Sequence, residues 1–198
     1  RPEAGVIHLY PPAPQNFTDT SRKHRTRRKP RMGEAKKNFL ISGLPGIGKT
    51  TLIKKLAVSL SPYNPQGFYT EEILQDGERK GFHLRSLSGE SIILAHVIND
   101  SPHKIGKYRV DIDAFEDFLD ALHITPSPES PVIIDEIGKM ECLSPKFVKR
   151  VQEILDGENP VIATIAHTDG GIKGKVKARE DVELFKMNLI NRNVLEGE

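Results

Sequence analysis

Residues 38–42, 131–138 and 160–166 carry near-continuous apolar cores, the pattern of strands covered on both faces of a parallel sheet. Between and after them the period changes. Leu52, Ile53, Leu56, Ala57 and Leu60 repeat at three and four residues, which predicts a helix over 49–59 with one face on the sheet. The spacing of Ala114, Phe115, Phe118, Leu119 and Leu122 predicts a second helix over 113–122, with an aspartate at or near its N-cap. Phe147, Val148, Val151, Ile154 and Leu155 predict a third, opened by Ser144 as N-cap and Pro145 at the first helical position. Residues 67–75 and 81–87 read as strands joined through Asp76-Gly77, a strong hairpin signal, and 91–97 supplies a further strand. A short strand is expected within 107–112 and a last one over 182–187. The glycine-rich stretch 167–175 reads as a flexible rim. Buried strands alternating with amphipathic helices indicate an α/β fold: a mostly parallel sheet flanked by helices, with an antiparallel β-hairpin insert after the first helix.

The junction of the first strand and first helix carries the chemistry. Residues 43–50 read GLPGIGKT, so the GxxxxGKS/T phosphate-binding loop lies between a strand and a helix, as it must to work. Gly43, Leu44, Pro45, Gly46, Ile47, Gly48, Lys49, Thr50 and Thr51 would wrap a triphosphate with backbone N–H groups and a helix N-terminus. Lys49 would reach the β- and γ-phosphates, and the Thr50 hydroxyl would ligate Mg²⁺. Such a site needs an acid at the end of a second buried strand, and VIIDEIGKME supplies Asp135 as the metal-side carboxylate. Glu136 follows, placed to orient or deprotonate an attacking water, which favours hydrolysis over transfer to an acceptor. Lys139 can neutralise developing phosphoryl charge; Glu141 can hold Lys139 or a loop.

Composition narrows the class. The chain of 198 residues is 37% hydrophobic and 28% charged, as in ordinary globular domains, and contains no apolar run of membrane-spanning length. Cys142 is its one cysteine, which excludes an internal disulfide and fits a reducing, cytoplasmic setting. The net charge of +2 conceals a segregation: residues 1–31 hold eight Lys/Arg and two acids, leaving 21 Lys/Arg against 25 acids, a body of −4. Residues 1–35 read as a disordered basic extension ahead of a nucleotide-binding domain over 36–198. Only this arm offers a route to nucleic acid. A monomer is expected.

The chain resembles the THEP-type nucleoside triphosphatases. The resemblance rests on GLPGIGKTTLIKKL at 43–56, GFYTEEI at 67–73, KGFHLRSLSG at 80–89, IGKYRVDIDAFE at 105–116 and IDEIGKME at 134–141, with a weaker match in EDVELFKMNLINRNVL. It implies a Rossmann-like, RecA-related P-loop NTPase fold and slow, Mg²⁺-dependent hydrolysis of ATP, GTP, CTP and UTP to the diphosphate and phosphate. It also implies that Pro131, Val132, Ile133, Ile134, Asp135, Glu136, Ile137 and Gly138 form the second nucleotide segment. Glu71, Glu72, Asn191 and Arg192 are its rim or base-side candidates. The family's arginine before the IGKY-like segment is replaced here by His103-Lys104, which leaves Arg79 and Arg109 as substitutes. A nucleotide or small-molecule kinase on the same fold is the first alternative, and a nucleotide-dependent RNA-binding switch the second.

Overall fold

Asn38–Gly43, Val132–Ile137 and Val161–Ala166 are the three apolar runs, and each is a strand, here β1, β7 and β8 in chain order. The computed structural model describes residues 36–194. The basic arm at 1–35 and the last four residues lie outside the described residues. The remaining elements are α1 (Lys49–Ser59), β2 (Gln66–Gln75), β3 (Glu78–Ser86), β4 (Ser91–His96), β5 (Lys104–Ile105), β6 (Tyr108–Val110), α2 (Ile112–Ala121), α3 (Pro145–Asp156), α4 (Gly171–Lys177) and β9 (Val182–Lys186). Among the described residues no helix is long and apolar enough to cross a membrane.

All nine strands form one sheet, in the order β5-β6-β4-β3-β2-β7-β8-β1-β9. From β2 to β9 every neighbouring pair is parallel, and from β2 to β5 every pair is antiparallel. The antiparallel insert is therefore a continuation of the parallel sheet. Its hairpin turns at Asp76 and Gly77, both at positive φ (53° and 74°), the geometry that an Asp-Gly pair favours. β8 lies between β1 and β7, so the phosphate-loop strand and the acid strand are separated by one strand.

Alternation along the strands sorts their side chains to two faces. Leu40, Ile134 and Phe68 pack with α2 and α3, while Ile41 and Ile133 pack against Leu52 and Ile53 of α1. On the first face, Phe68 meets Phe115, Phe118 and Phe147 at ring-centroid distances of 6.4, 5.9 and 6.2 Å. Both larger helices on this face are capped from sequence. Ser144 Oγ accepts from Phe147 N at 3.0 Å, and Asp111 Oδ1 accepts from Ala114 N at 3.0 Å, so the second helix begins at Ile112, one residue earlier than expected.

The stretch 167–175 departs from the expected flexible rim. Gly171–Lys177 is a helix, because Ile172 and Val176, four residues apart, bury one side of it and Lys177 ties back to the His167 carbonyl at 3.0 Å and to Asp169 at 2.8 Å.

Phe68 is 2% exposed and touches three rings, so Phe68→Ala should lower unfolding free energy by about 3–5 kcal/mol. Guanidinium unfolding of the variant beside the parent protein measures that loss.

Candidate nucleotide site

The loop after β1 is shaped by Gly46 and Gly48, both at positive φ (75° and 111°), and Gly48 opens α1 without a capping side chain. No acidic residue stands in the first turn of α1. The helix N-terminus thus keeps unpaired N–H groups and an uncompensated positive dipole end, which suits an anion. Leu44, Pro45 and Gly46 are exposed, Ile47 is tucked into the α1-side core, and Thr51 faces outward from the first turn. Met187 supports the loop from below: its N–H donates to the Ser42 carbonyl at 2.7 Å.

Lys49 is only 8% exposed. Its Nζ donates to the carbonyls of Gly43 at 3.1 Å and Leu44 at 3.5 Å, and pairs with Glu136 Oε2 at 3.4 Å. The cation of the phosphate loop and the second acid of the strand therefore face one another in front of the end of β8.

Asp135 and Glu136 owe their directions to a bulge. Ile134 pairs with Ala163 and Ile137 with Ile165, so these two acids together stand opposite the single residue Thr164. Asp135 is 1% exposed and is satisfied by hydroxyls. Thr50 Oγ1 donates to its Oδ2 at 2.7 Å and Thr70 Oγ1 at 3.0 Å, and Thr164 Oγ1 donates to Oδ1. A carboxylate joined directly to the loop threonine is an all-oxygen pair suited to a hard divalent cation. Among the described residues no cluster of three or more His, Cys, Asp or Glu could cage a metal alone.

Burial raises the pKa of Glu136, and Asp135 pushes it the same way, while Lys49 opposes both. Behind it Glu141, 5% exposed, is pushed up to about 8, chiefly by burial and next by the charge of Glu136. Gly138 makes room for both. A Cβ there would stand 2.6 Å from Glu141 Oε2 and 2.7 Å from Glu136 Oε1. Of the two roles open to Glu141, the contact with Lys139 does not form and the hold on the loop does: Glu141 turns inward and accepts from the Gly138 backbone, and the exposed Lys139 lines a cleft of about 410 Å³ with Cys142, Val148, Ile172 and Lys173.

The structure thus brings together the phosphate loop, Lys49, Thr50, Asp135, Glu136 and Gly138. Val132, Ile133 and Ile134 are buried in the sheet core, and Pro131 sits at the opposite end of β7 from the acids, its carbonyl accepting from Gln66 N at 2.9 Å. Ile137 belongs to the α2/α3-side core. The expected rim acids are occupied: Glu71 accepts from Lys54 of α1 and Arg85 of β3, which lower its pKa, and Glu72 pairs with Arg79 at 2.6 Å. Asn191 closes the turn after β9, bonding to Asn188 and Lys186, and Arg192 is exposed there. Neither proposed arginine points at the loop by its contacts. Arg79 is held by Glu72 and Tyr108, and Arg109 donates to the Ser101 carbonyl at 2.9 Å. Thr70 and Thr164 were missed as site residues because their partner, Asp135, is remote in sequence from both.

A family model for an NTPase matches residues 38–198. The chain belongs to the NTPase family. Membership in the NTPase family carries the enzyme class, nucleoside-triphosphate hydrolase, and the P-loop fold. The nucleoside-triphosphatase THEP1 of Thermotoga sp. (strain RQ2) is 46% identical over 161 residues, covering 81% of this chain and 91% of that relative. A mouse cancer-related nucleoside-triphosphatase homolog is 36% identical, covering 80% and 92%. The crystal structure of THEP1 from Aquifex aeolicus superposes with a TM-score of 0.71 at 31% identity, over 81% of this chain and 95% of that one.

Glu141 gives a stability signature with a defined sign. Its carboxyl ionises near the ordinary value in the unfolded chain and near 8 in the folded one, so the folded state holds a proton the unfolded state has released. Stability should therefore fall as pH rises from about 4.5 to about 8, by at most about 1.4 kcal/mol per pH unit, and Glu141→Gln should remove that contribution. Urea unfolding of both proteins at intervals from pH 5 to 9 checks it.

Proposed function

We propose that the protein hydrolyses nucleoside 5'-triphosphates, ATP, GTP, CTP and UTP, to the diphosphate and phosphate in a Mg²⁺-dependent reaction of broad base specificity. The observation that carries this reading is the Lys49–Glu136 pair at 3.4 Å beside the Thr50–Asp135 hydrogen bond at 2.7 Å: a phosphate-binding cation and a basic carboxylate stand next to the two metal-side oxygens. The loop amides and Lys49 bind the β- and γ-phosphates. Thr50 and Asp135 would hold Mg²⁺, which when bound neutralises phosphate charge and orients the oxygens. Glu136 orients a water in line with the γ-phosphorus and takes its proton as the new P–O bond forms. The bond to the bridging oxygen breaks with its electron pair leaving on the diphosphate. The raised pKa of Glu136 makes it a better proton acceptor than an exposed carboxylate. Base selectivity is weak on this reading because the identified binding groups all face the phosphates.

Phosphate release from the four nucleotides with Mg²⁺ and no added acceptor tests the proposal. All four should be hydrolysed, and Glu136→Gln should retain nucleotide binding while losing at least about 100-fold in kcat. Release that begins only when an acceptor is supplied would identify a kinase.

A further inference from the structure

Negative charge that develops on the γ-phosphoryl oxygens and the departing diphosphate calls for a cation beyond the phosphate-loop lysine. Five of the six arginines among the described residues are committed elsewhere. Arg85 is bound to Glu71, Arg150 faces Glu153 on the same helix, and Arg179 is clamped between Asp156 and Asp181. Arg79 and Arg109 serve the antiparallel wing, and Arg192 lies in the exposed terminal turn.

Topology indicates where a substitute would come from. β8 runs parallel between β1 and β7, so the chain leaving β8 emerges between the loop that carries Lys49 and the strand end that carries Glu136. That chain is the segment leading into α4. Lys173, in the first turn of α4, lines the cleft together with Lys139, Cys142 and Ile172. It is half-buried, and its one recorded hydrogen bond, to Thr168 Oγ1, is long at 3.4 Å. Its charge acts on both Glu136 and Cys142, in each case favouring the anion. By contrast Lys177, one turn on, is spent on the His167 carbonyl and Asp169.

We propose that Lys173 is a catalytic residue that contacts the γ-phosphoryl group in the transition state, supplying the charge that an arginine supplies in other phosphate-loop enzymes. The inference rests on the hydrolytic reading above. The ammonium keeps its proton throughout: the water's proton passes to Glu136 and the electron pair of the broken bond leaves on the diphosphate. Lys173 supplies charge alone.

Wild type, Lys173→Met, Lys173→Arg and Lys175→Met would be compared by three measurements: Mg²⁺-dependent binding of a fluorescent ATP analogue, single-turnover cleavage, and trapping of ADP with aluminium fluoride. Lys173→Met should bind the analogue within about threefold of wild type, cleave about 10²–10³-fold more slowly and fail to trap ADP with aluminium fluoride. Lys173→Arg should recover part of the rate and the trapping, which a merely misfolded site would not do, and the exposed Lys175→Met should match wild type. Wild-type cleavage and trapping by Lys173→Met, or equal losses in binding and cleavage, would overturn the assignment. A wild-type protein that cleaves none of the four triphosphates would overturn the hydrolytic reading itself and the inference with it.

Discussion

Three threonine hydroxyls converge on one buried carboxylate, and the rest of the site is arranged around that convergence. Thr50 comes from α1, Thr70 from β2 and Thr164 from β8, and each donates to Asp135 on β7. A carboxylate 1% exposed would be strongly destabilising without such partners, so the four elements must meet in one register for the charge to be satisfied. The same requirement fixes Glu136, because the bulge that aims Asp135 at the threonines leaves the next residue facing Lys49.

Much of this fold is legible in local signals. The Asp76-Gly77 turn, the Ser144-Pro145 helix start and the GLPGIGKT loop each state their backbone geometry within a few residues, and each stands as the sequence suggests. The apolar runs 38–42, 131–138 and 160–166 likewise announce strands covered on both faces. Their order does not follow from the chain, since placing β8 between β1 and β7 requires β1 to pair with a segment more than a hundred residues away.

The site was legible where one residue type has one use. Lys49, Thr50, Asp135 and Glu136 could be named from spacing. Thr70 and Thr164 could not, because a threonine in a strand is ordinarily a β-former, and only the tertiary register converts it into a donor to Asp135. Glu71 and Glu72 show the opposite case: acids in a recognisable motif suggest chemistry, and in the fold Glu71 also fastens β2 to α1 through Lys54 and to β3 through Arg85. Glycine-rich 167–175 suggested mobility, and the two apolar residues that anchor α4 were too few to register as a helical stripe.

Lys49 has one charge and two claimants. In the fold its ammonium is shared among the carbonyls of Gly43 and Leu44 and the carboxylate of Glu136. A γ-phosphate oxygen, which carries more negative charge than either carbonyl, would draw the ammonium toward itself and loosen its hold on Glu136. Loss of that counter-charge raises the proton affinity of the carboxylate further, since Lys49 is the largest influence opposing its desolvation. If Glu136 activates water as proposed, occupancy of the loop and the basicity of that carboxylate are linked through a single nitrogen atom, Lys49 Nζ, so the base strengthens as substrate arrives.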